Sequence, residues 1–187
     1  MFTEIFSLVI DTVSSLYLMI ILLRFILQIS RADFYNPISQ FVVKATNPLL
    51  VPLRRIVPSI GGIDTASIVL AILFQTLVVV LKMLVLGSGL SNPLFLIAFS
   101  SVLVLGLILK IYFWSLIIMI VASWIAPGSG HPALVLINQI VEPLMQPFRK
   151  ILPPMGGLDL SPILAFLVIQ VLEVVVKGLQ SQVLSLA

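Results

Sequence analysis

Apolar residues run nearly unbroken through four stretches of this chain, at about 5–29, 65–86, 95–126 and 161–183. Polar residues, prolines and glycines collect between them, chiefly in loops at 30–63 and 127–158. A bilayer core of about 30 Å takes roughly 20 apolar residues as a helix, so each stretch predicts a membrane-spanning helix. A second pattern lies inside the loops. Pro37 opens a segment with Ile38, Phe41, Val42 and Ala45 on one helical face and Ser39, Gln40 and Lys44 elsewhere. Pro132 opens its counterpart at 133–141, with Leu136, Ile137 and Ile140 at matching positions. That spacing predicts a short helix lying in the membrane interface in each loop. A helix packed on a partner would carry the same pattern.

The matching positions belong to a duplication. Residues 47–68 read NPLLVPLRRIVPSIGGIDTASI, and residues 142–163, an offset of 95, read EPLMQPFRKILPPMGGLDLSPI. Ten of the 22 aligned positions are identical without a gap, among them Pro48/Pro143, Pro52/Pro147, Arg54/Arg149, Pro58/Pro153, Gly61/Gly156, Gly62/Gly157 and Asp64/Asp159. The same offset pairs Tyr17 with Tyr112, Pro37 with Pro132, Gln75 with Gln170 and Lys82 with Lys177. A register held over that distance means that one structural unit occurs twice. The chain divides into repeats at 1–90 and 91–187, each a span, a polar loop and a second span. The fold class predicted is all-α integral membrane, with about four transmembrane helices in two parallel repeats. The third stretch fits least well, because the 33 residues from Leu94 to Ala126 would extend about 50 Å as one helix. Aligning Tyr112 with Tyr17 puts the span proper at about 100–125. The stretch from Pro93 is then an outer-leaflet approach or a tilted continuation.

Composition agrees with the membrane reading. At 60% hydrophobic and 9% charged residues, a soluble domain of this length could not hide its apolar surface. The first stretch carries Glu4 and Asp11 with no Lys or Arg ahead of them and is too long for a signal-peptide core, so it is expected to stay as a helix. The absence of cysteine excludes disulfides, thiol catalysis, iron–sulfur ligation and covalent haem attachment. One histidine, His131, leaves a zinc or haem site short of ligands, and no cofactor is expected. Charge orients the chain. Arg31, Lys44, Arg54 and Arg55 stand against Asp33 in the first loop, and Arg149 and Lys150 against Glu142 in the second, while 87–93 carries no charge. Basic short loops stay cytoplasmic, so both motif loops are expected inside and both termini outside.

The duplicated segment abstracts to P-L-x-x-P-[LF]-R-[RK]-I-[VL]-P-x-x-G-G-[IL]-D. Its prolines lack an N–H and fix φ, which predicts only one or two helical turns between breaks at Pro48, Pro52 and Pro58, and likewise at Pro143, Pro147 and Pro153. Gly61-Gly62 and Gly156-Gly157 supply the φ freedom for a sharp turn back into the bilayer. Asp64 and Asp159 read as helix starts whose carboxylates cap orphan N–H groups, with a cation-coordinating pair as the sharper alternative. The basic pairs Arg54-Arg55 and Arg149-Lys150 fit topology anchoring, and equally the capture of lipid phosphates or a partner at about 1 kcal/mol per basic residue on an anionic surface.

Polar residues within spans are costly unless paired or functional. Gln75 and Gln170 occupy equivalent mid-span positions and are expected to hydrogen-bond across the repeat interface. Lys82, Lys177 and Arg24 lie close enough to helix ends to snorkel. Glu173 precedes Lys177 by four residues, a favourable helix pair. Lys110 lies deeper.

The doubled motif, the RADFYNPISQFVVKATNP run at 31–48 and the GGLDLSP sequence at 156–162 resemble the YggT family of bacterial inner-membrane proteins along essentially the whole chain. The resemblance implies a multi-pass inner-membrane protein with two YggT repeats. Members of the broader family are connected with osmotic tolerance, with cell division or nucleoid organisation, and with assembly of b-type cytochromes. It carries over no catalytic residues, so the motif transfers as a signature.

Two function classes follow. One is a non-enzymatic assembly, scaffold or membrane-organisation factor whose basic interfacial motifs bind anionic lipid or a membrane-protein client. The other is an osmotic-stress-linked potassium transport component, for which four spans would require a homo-oligomer. The missing nucleophiles and metal ligands favour the first. An enzyme acting on lipid ranks third, because His131 and the loop aspartates form no nucleophile–base arrangement. No nucleic-acid partner is expected.

Overall fold

The structure is a computed structural model that describes residues 2–152 and 159–185. Six helices follow one another: α1 Phe2–Ile29, α2 Pro37–Arg54, α3 Thr65–Leu86, α4 Pro93–Ile125, α5 Pro132–Ile151 and α6 Ser161–Leu184. Four of them, α1, α3, α4 and α6, are long and apolar enough to cross a bilayer. The protein is a multi-pass membrane protein. Each repeat is a span, a shorter helix and a span: α1–α2–α3, then α4–α5–α6. Within repeats α1 packs on α3 and α4 on α6, and the repeats meet along α3 and α4. The short helices α2 and α5 lie at the same end of the bundle and touch one another, as parallel repeats require.

Burial is concentrated at that motif end. One core joins Leu18, Ile21, Leu22 and Ile26 of α1 to Val42 and Leu50 of α2, Ala66 and Ala71 of α3, and Leu136 and Ile140 of α5. A smaller core joins Leu116, Val141, Met145, Ala165 and Ile169 in the second repeat. Toward the far end α1 turns Phe2, Ile5, Phe6, Leu8, Val9 and Val13 outward, all exposed. Such a contiguous apolar coat has its solvent in lipid.

Two local expectations are corrected and one open alternative is decided. First, the prolines do not break the motif helices: α2 runs through Pro48 and Pro52, and α5 through Pro143 and Pro147. Prolines spaced i, i+4 share one face, and all four are exposed, so the carbonyls they orphan point away from the core. Second, the buried face of α2 is Ser39, Val42, Thr46 and Leu50, whereas Phe41 is exposed. Ser39 thus belongs to the buried face and not, as the pattern predicts, to the polar side. Third, α4 is one continuous helix from Pro93 to Ile125, so the stretch after Pro93 is a continuation of the helix. Asn92 starts it by accepting from the Leu94 N–H at 2.9 Å.

Between α2 and α3 the chain reverses at Gly61 and Gly62, whose φ values are +60° and +80°. Ile60 and Ile63 exchange both backbone hydrogen bonds across them, at 3.2 and 2.9 Å. Consecutive positive φ at the two central residues is the geometry that glycine adopts at no steric cost. The counterparts Gly156 and Gly157, with Pro153, lie outside the described residues.

Candidate functional site

The motif end is fastened by a pair of repeat-equivalent clasps. In the first, Arg54 at the end of α2 reaches Asp64 just before α3. Its Nε donates to Oδ1 at 3.3 Å and its Nη2 to Oδ2, a forked arginine–carboxylate pair. The Asp64 side chain is fully buried while Arg54 stays partly exposed. Ser67 Oγ donates to the same carboxylate at 2.6 Å. Burial alone would push the Asp64 carboxyl up. The Arg54 and Ser67 hydrogen bonds and the Arg54 charge outweigh it and hold the group below the usual carboxylate range.

In the second clasp Arg149 Nε donates to Asp159 Oδ2 at 3.2 Å. Asp159 also accepts from the Ser161 hydroxyl and, at 2.9 Å, from the Ser161 N–H at the start of α6. The Ser161 hydroxyl, with help from Arg149, holds the Asp159 carboxyl below its ordinary value against a small opposing effect of burial. Arg149 Nη1 additionally grips both oxygens of Glu142, at 2.8 and 2.7 Å. That hydrogen bonding is the largest cause of a raised Arg149 pKa. Asp64 stands at the N-cap position of α3 with its carboxylate on Arg54 and Ser67, whereas Asp159 lies one residue before Leu160, the N-cap of α6, and accepts from the Ser161 N–H.

The two frames carry different fastenings elsewhere. Arg24 of α1 is 6% exposed and does not snorkel. Its Nη1 donates to Val43 O at 3.0 Å, Thr46 Oγ1 at 2.7 Å and Asn47 Oδ1 at 2.8 Å, which ties α1 to α2. At the equivalent positions the second repeat has Met119 and Glu142. The acceptor that Arg24 uses in one copy has become an acid that Arg149 uses in the other. Tyr17 hydroxyl donates to Ala45 O at 3.1 Å. Where the repeats abut, Asn36 Nδ2 donates to Pro132 O at 2.8 Å and Asp33 N–H to Gln139 Oε1 at 2.9 Å.

Of the residues singled out from sequence, Arg54 with Asp64 and Arg149 with Asp159 are brought together. Arg55 and Lys150 are exposed beside them. Pro58 O accepts from Thr65 Oγ1 at 2.6 Å and closes the first motif loop. The expected hydrogen bond between Gln75 and Gln170 is not formed. Gln75 lines a groove with Asp11, Thr12 and Ser15 of its own repeat, and Gln170 is exposed on α6. Among the described residues no three His, Asp or Glu side chains converge as a metal site. Sequence reasoning missed the Arg–Asp pairing, Ser67, Ser161 and the Arg24 network. The signal was present for the pairing alone: Arg and Asp stand ten residues apart in both copies.

The family model CCB3/YggT matches the chain twice, over residues 3–85 and 98–180. The chain belongs to the YggT family. The uncharacterized protein PA0392 of Pseudomonas aeruginosa is 54% identical over 169 residues, covering 90% of this chain and 86% of its own. The uncharacterized protein YggT of Escherichia coli K12 is 40% identical over 164 residues, covering 87% and 84%. The YlmG homolog protein 2, chloroplastic, of Arabidopsis thaliana is 45% identical over 62 residues, 33% of this chain and 24% of that protein. No solved structure matches. Each matched segment contains one clasp, in which Arg and Asp hold the shorter helix to the following span.

Proposed function

We propose that this YggT protein is a non-catalytic organising factor of the bacterial inner membrane, with both motif ends cytoplasmic, that engages anionic lipid headgroups and thereby presents a surface to a membrane-protein client. One observation carries the reading. The clasps consume Arg54 and Arg149 internally, and each leaves an exposed cation next to an exposed isoleucine: Arg55 with Ile56, and Lys150 with Ile151, the two isoleucines 79% and 71% exposed. A cation beside an apolar side chain at a helix end suits the headgroup–acyl boundary, where phosphates and hydrocarbon lie within a few ångströms. The cytoplasmic assignment rests on the basic bias of the motif loops.

The test is full-length protein in nanodiscs of mixed zwitterionic and anionic lipid. Replacing Arg55 and Lys150 with Gln is expected to lower the enrichment of anionic lipid around the protein, and the difference is expected to shrink in high salt. Unchanged enrichment at low salt overturns the lipid reading. The potassium-transport alternative ranks lower, because the charged side chains that line the cavity between α4 and α6 include two lysines, which repel a cation.

A further inference from the structure

Between α4 and α6 lies a cavity of about 500 Å³ lined by Gly106, Lys110, Glu173, Val176, Lys177 and Gln180. It stands apart from the motif end. Glu173 and Lys177 lie about 18 and 24 Å along α6 from Ser161, within the depth of a hydrocarbon core of about 30 Å. None of the three charged side chains is in an ion pair among the described residues, although each occupies an apolar span where a lone charge is costly. In the first repeat the equivalent lysine has a partner. There Lys82 Nζ binds Asp11 Oδ2 at 2.9 Å, joining α3 to α1. The duplicated positions are Lys177 and Gly106, so the second repeat keeps the lysine and has glycine in place of the acid. Helix packing does not demand that glycine: a Cβ there would meet Val176 at 3.4 Å, ordinary contact distance.

We propose that this cavity is a binding site for one anionic membrane lipid of the far leaflet, whose phosphate takes the place that Asp11 holds in the first repeat. Lys110 and Lys177 engage the phosphate oxygens. Leu103, Leu107 and Val176 line the rest of the cavity. This site is independent of the motif-end cations.

Native mass spectrometry of the full-length protein in mild detergent, titrated with phosphatidylglycerol, phosphatidic acid or phosphatidylcholine, tests it. One phosphatidylglycerol or phosphatidic acid is expected to be retained in preference to phosphatidylcholine. Replacing Lys110 and Lys177 together with Gln is expected to weaken that retention on the order of tenfold. Gly106→Asp should displace the lipid by giving Lys177 the partner that Lys82 has, with helical content and melting temperature kept. Lys82→Gln, in the first repeat and away from both the cavity and the motif-end cations, should leave retention unchanged. If Gly106→Asp does not fold, the lysine pair decides. Retention unaffected by the lysine pair, equal retention of phosphatidylcholine, or displacement of the lipid by soluble glycerol phosphate at matched concentration each overturns the proposal.

Discussion

Arg54 and Asp64 illustrate how much a single pairing depends on burial. Removing one partner of a fully buried pair costs about 3–5 kcal/mol, because the other charge is stranded, whereas an exposed pair contributes about 0–1 kcal/mol. The first clasp lies between these limits, with Asp64 at 0% side-chain exposure and Arg54 at 38%. The second lies near the exposed limit, at 34% and 35%. Arg54→Gln is therefore expected to destabilise by about 2 kcal/mol, discounted for the open side of the guanidinium, and Arg149→Gln by under about 1 kcal/mol. Thermal unfolding in detergent distinguishes them, and equal losses would show that burial of Asp64 is not what matters. The same geometry sets a pH dependence. The Asp64 carboxyl is held below its ordinary value, so its stabilisation is fully present above about pH 4 and is lost as the pH falls through the lower folded value. Asp64→Asn should flatten that acid limb of the melting temperature, and an unchanged limb would assign it to other carboxylates.

At the scale of elements, the turn and the prolines make opposite demands. Gly61 and Gly62 both have positive φ, yet a Cβ at either would meet nothing within 4 Å. The constraint is backbone conformation and not space. Gly62→Val is expected to cost about 1–2 kcal/mol, and Gly62→Asn distinctly less, since asparagine tolerates the left-handed region. Equal losses for the two variants would point to something other than φ. Pro48 lies inside a continuous helix, so Pro48→Ala should preserve helical content and leave stability equal or higher, because alanine restores a donor and removes a clash. A loss of helix by circular dichroism would show that the proline is required where it stands. These two sites also mark what the sequence made legible. Four spans, two loop helices and a glycine turn followed from apolar run length and duplication. The passage of helices through their prolines did not, because it depends on which face is exposed, and that is decided by tertiary packing of Val42, Thr46 and Leu50. Nor did the partner of Arg24, since an arginine in an apolar run reads as snorkelling until α2 is seen to bring three acceptors to it.

At the scale of the whole molecule, the duplication gives one frame and divergence gives it different fastenings: a buried arginine network and an Asp11–Lys82 pair in the first repeat, an acid-extended clasp and a lysine-lined cavity in the second. Parallel repeats place α2 and α5 at one end whatever the orientation of the bundle, so the side of the membrane must come from charge. Arg31, Lys44, Arg54, Arg55, Arg149 and Lys150 all lie at the motif end, and the turn between the repeats carries no charge. Basic segments resist translocation, which is the ground for proposing that this end faces the cytoplasm. The chain has no cysteine, so single introduced thiols report without background. Ser59 and Ser129 are exposed at the motif end, and Ser88 and Ser185 are exposed at the other. Ser39 is unsuitable, because its side chain is wholly buried and would resist any reagent from either side. In intact cells an impermeant maleimide is expected to label Ser88→Cys and Ser185→Cys, and to label Ser59→Cys and Ser129→Cys only after permeabilisation. Labelling of Ser59→Cys in intact cells would invert the bundle, move Arg55 and Lys150 to the outer leaflet, and bring the α4–α6 cavity to the inner one.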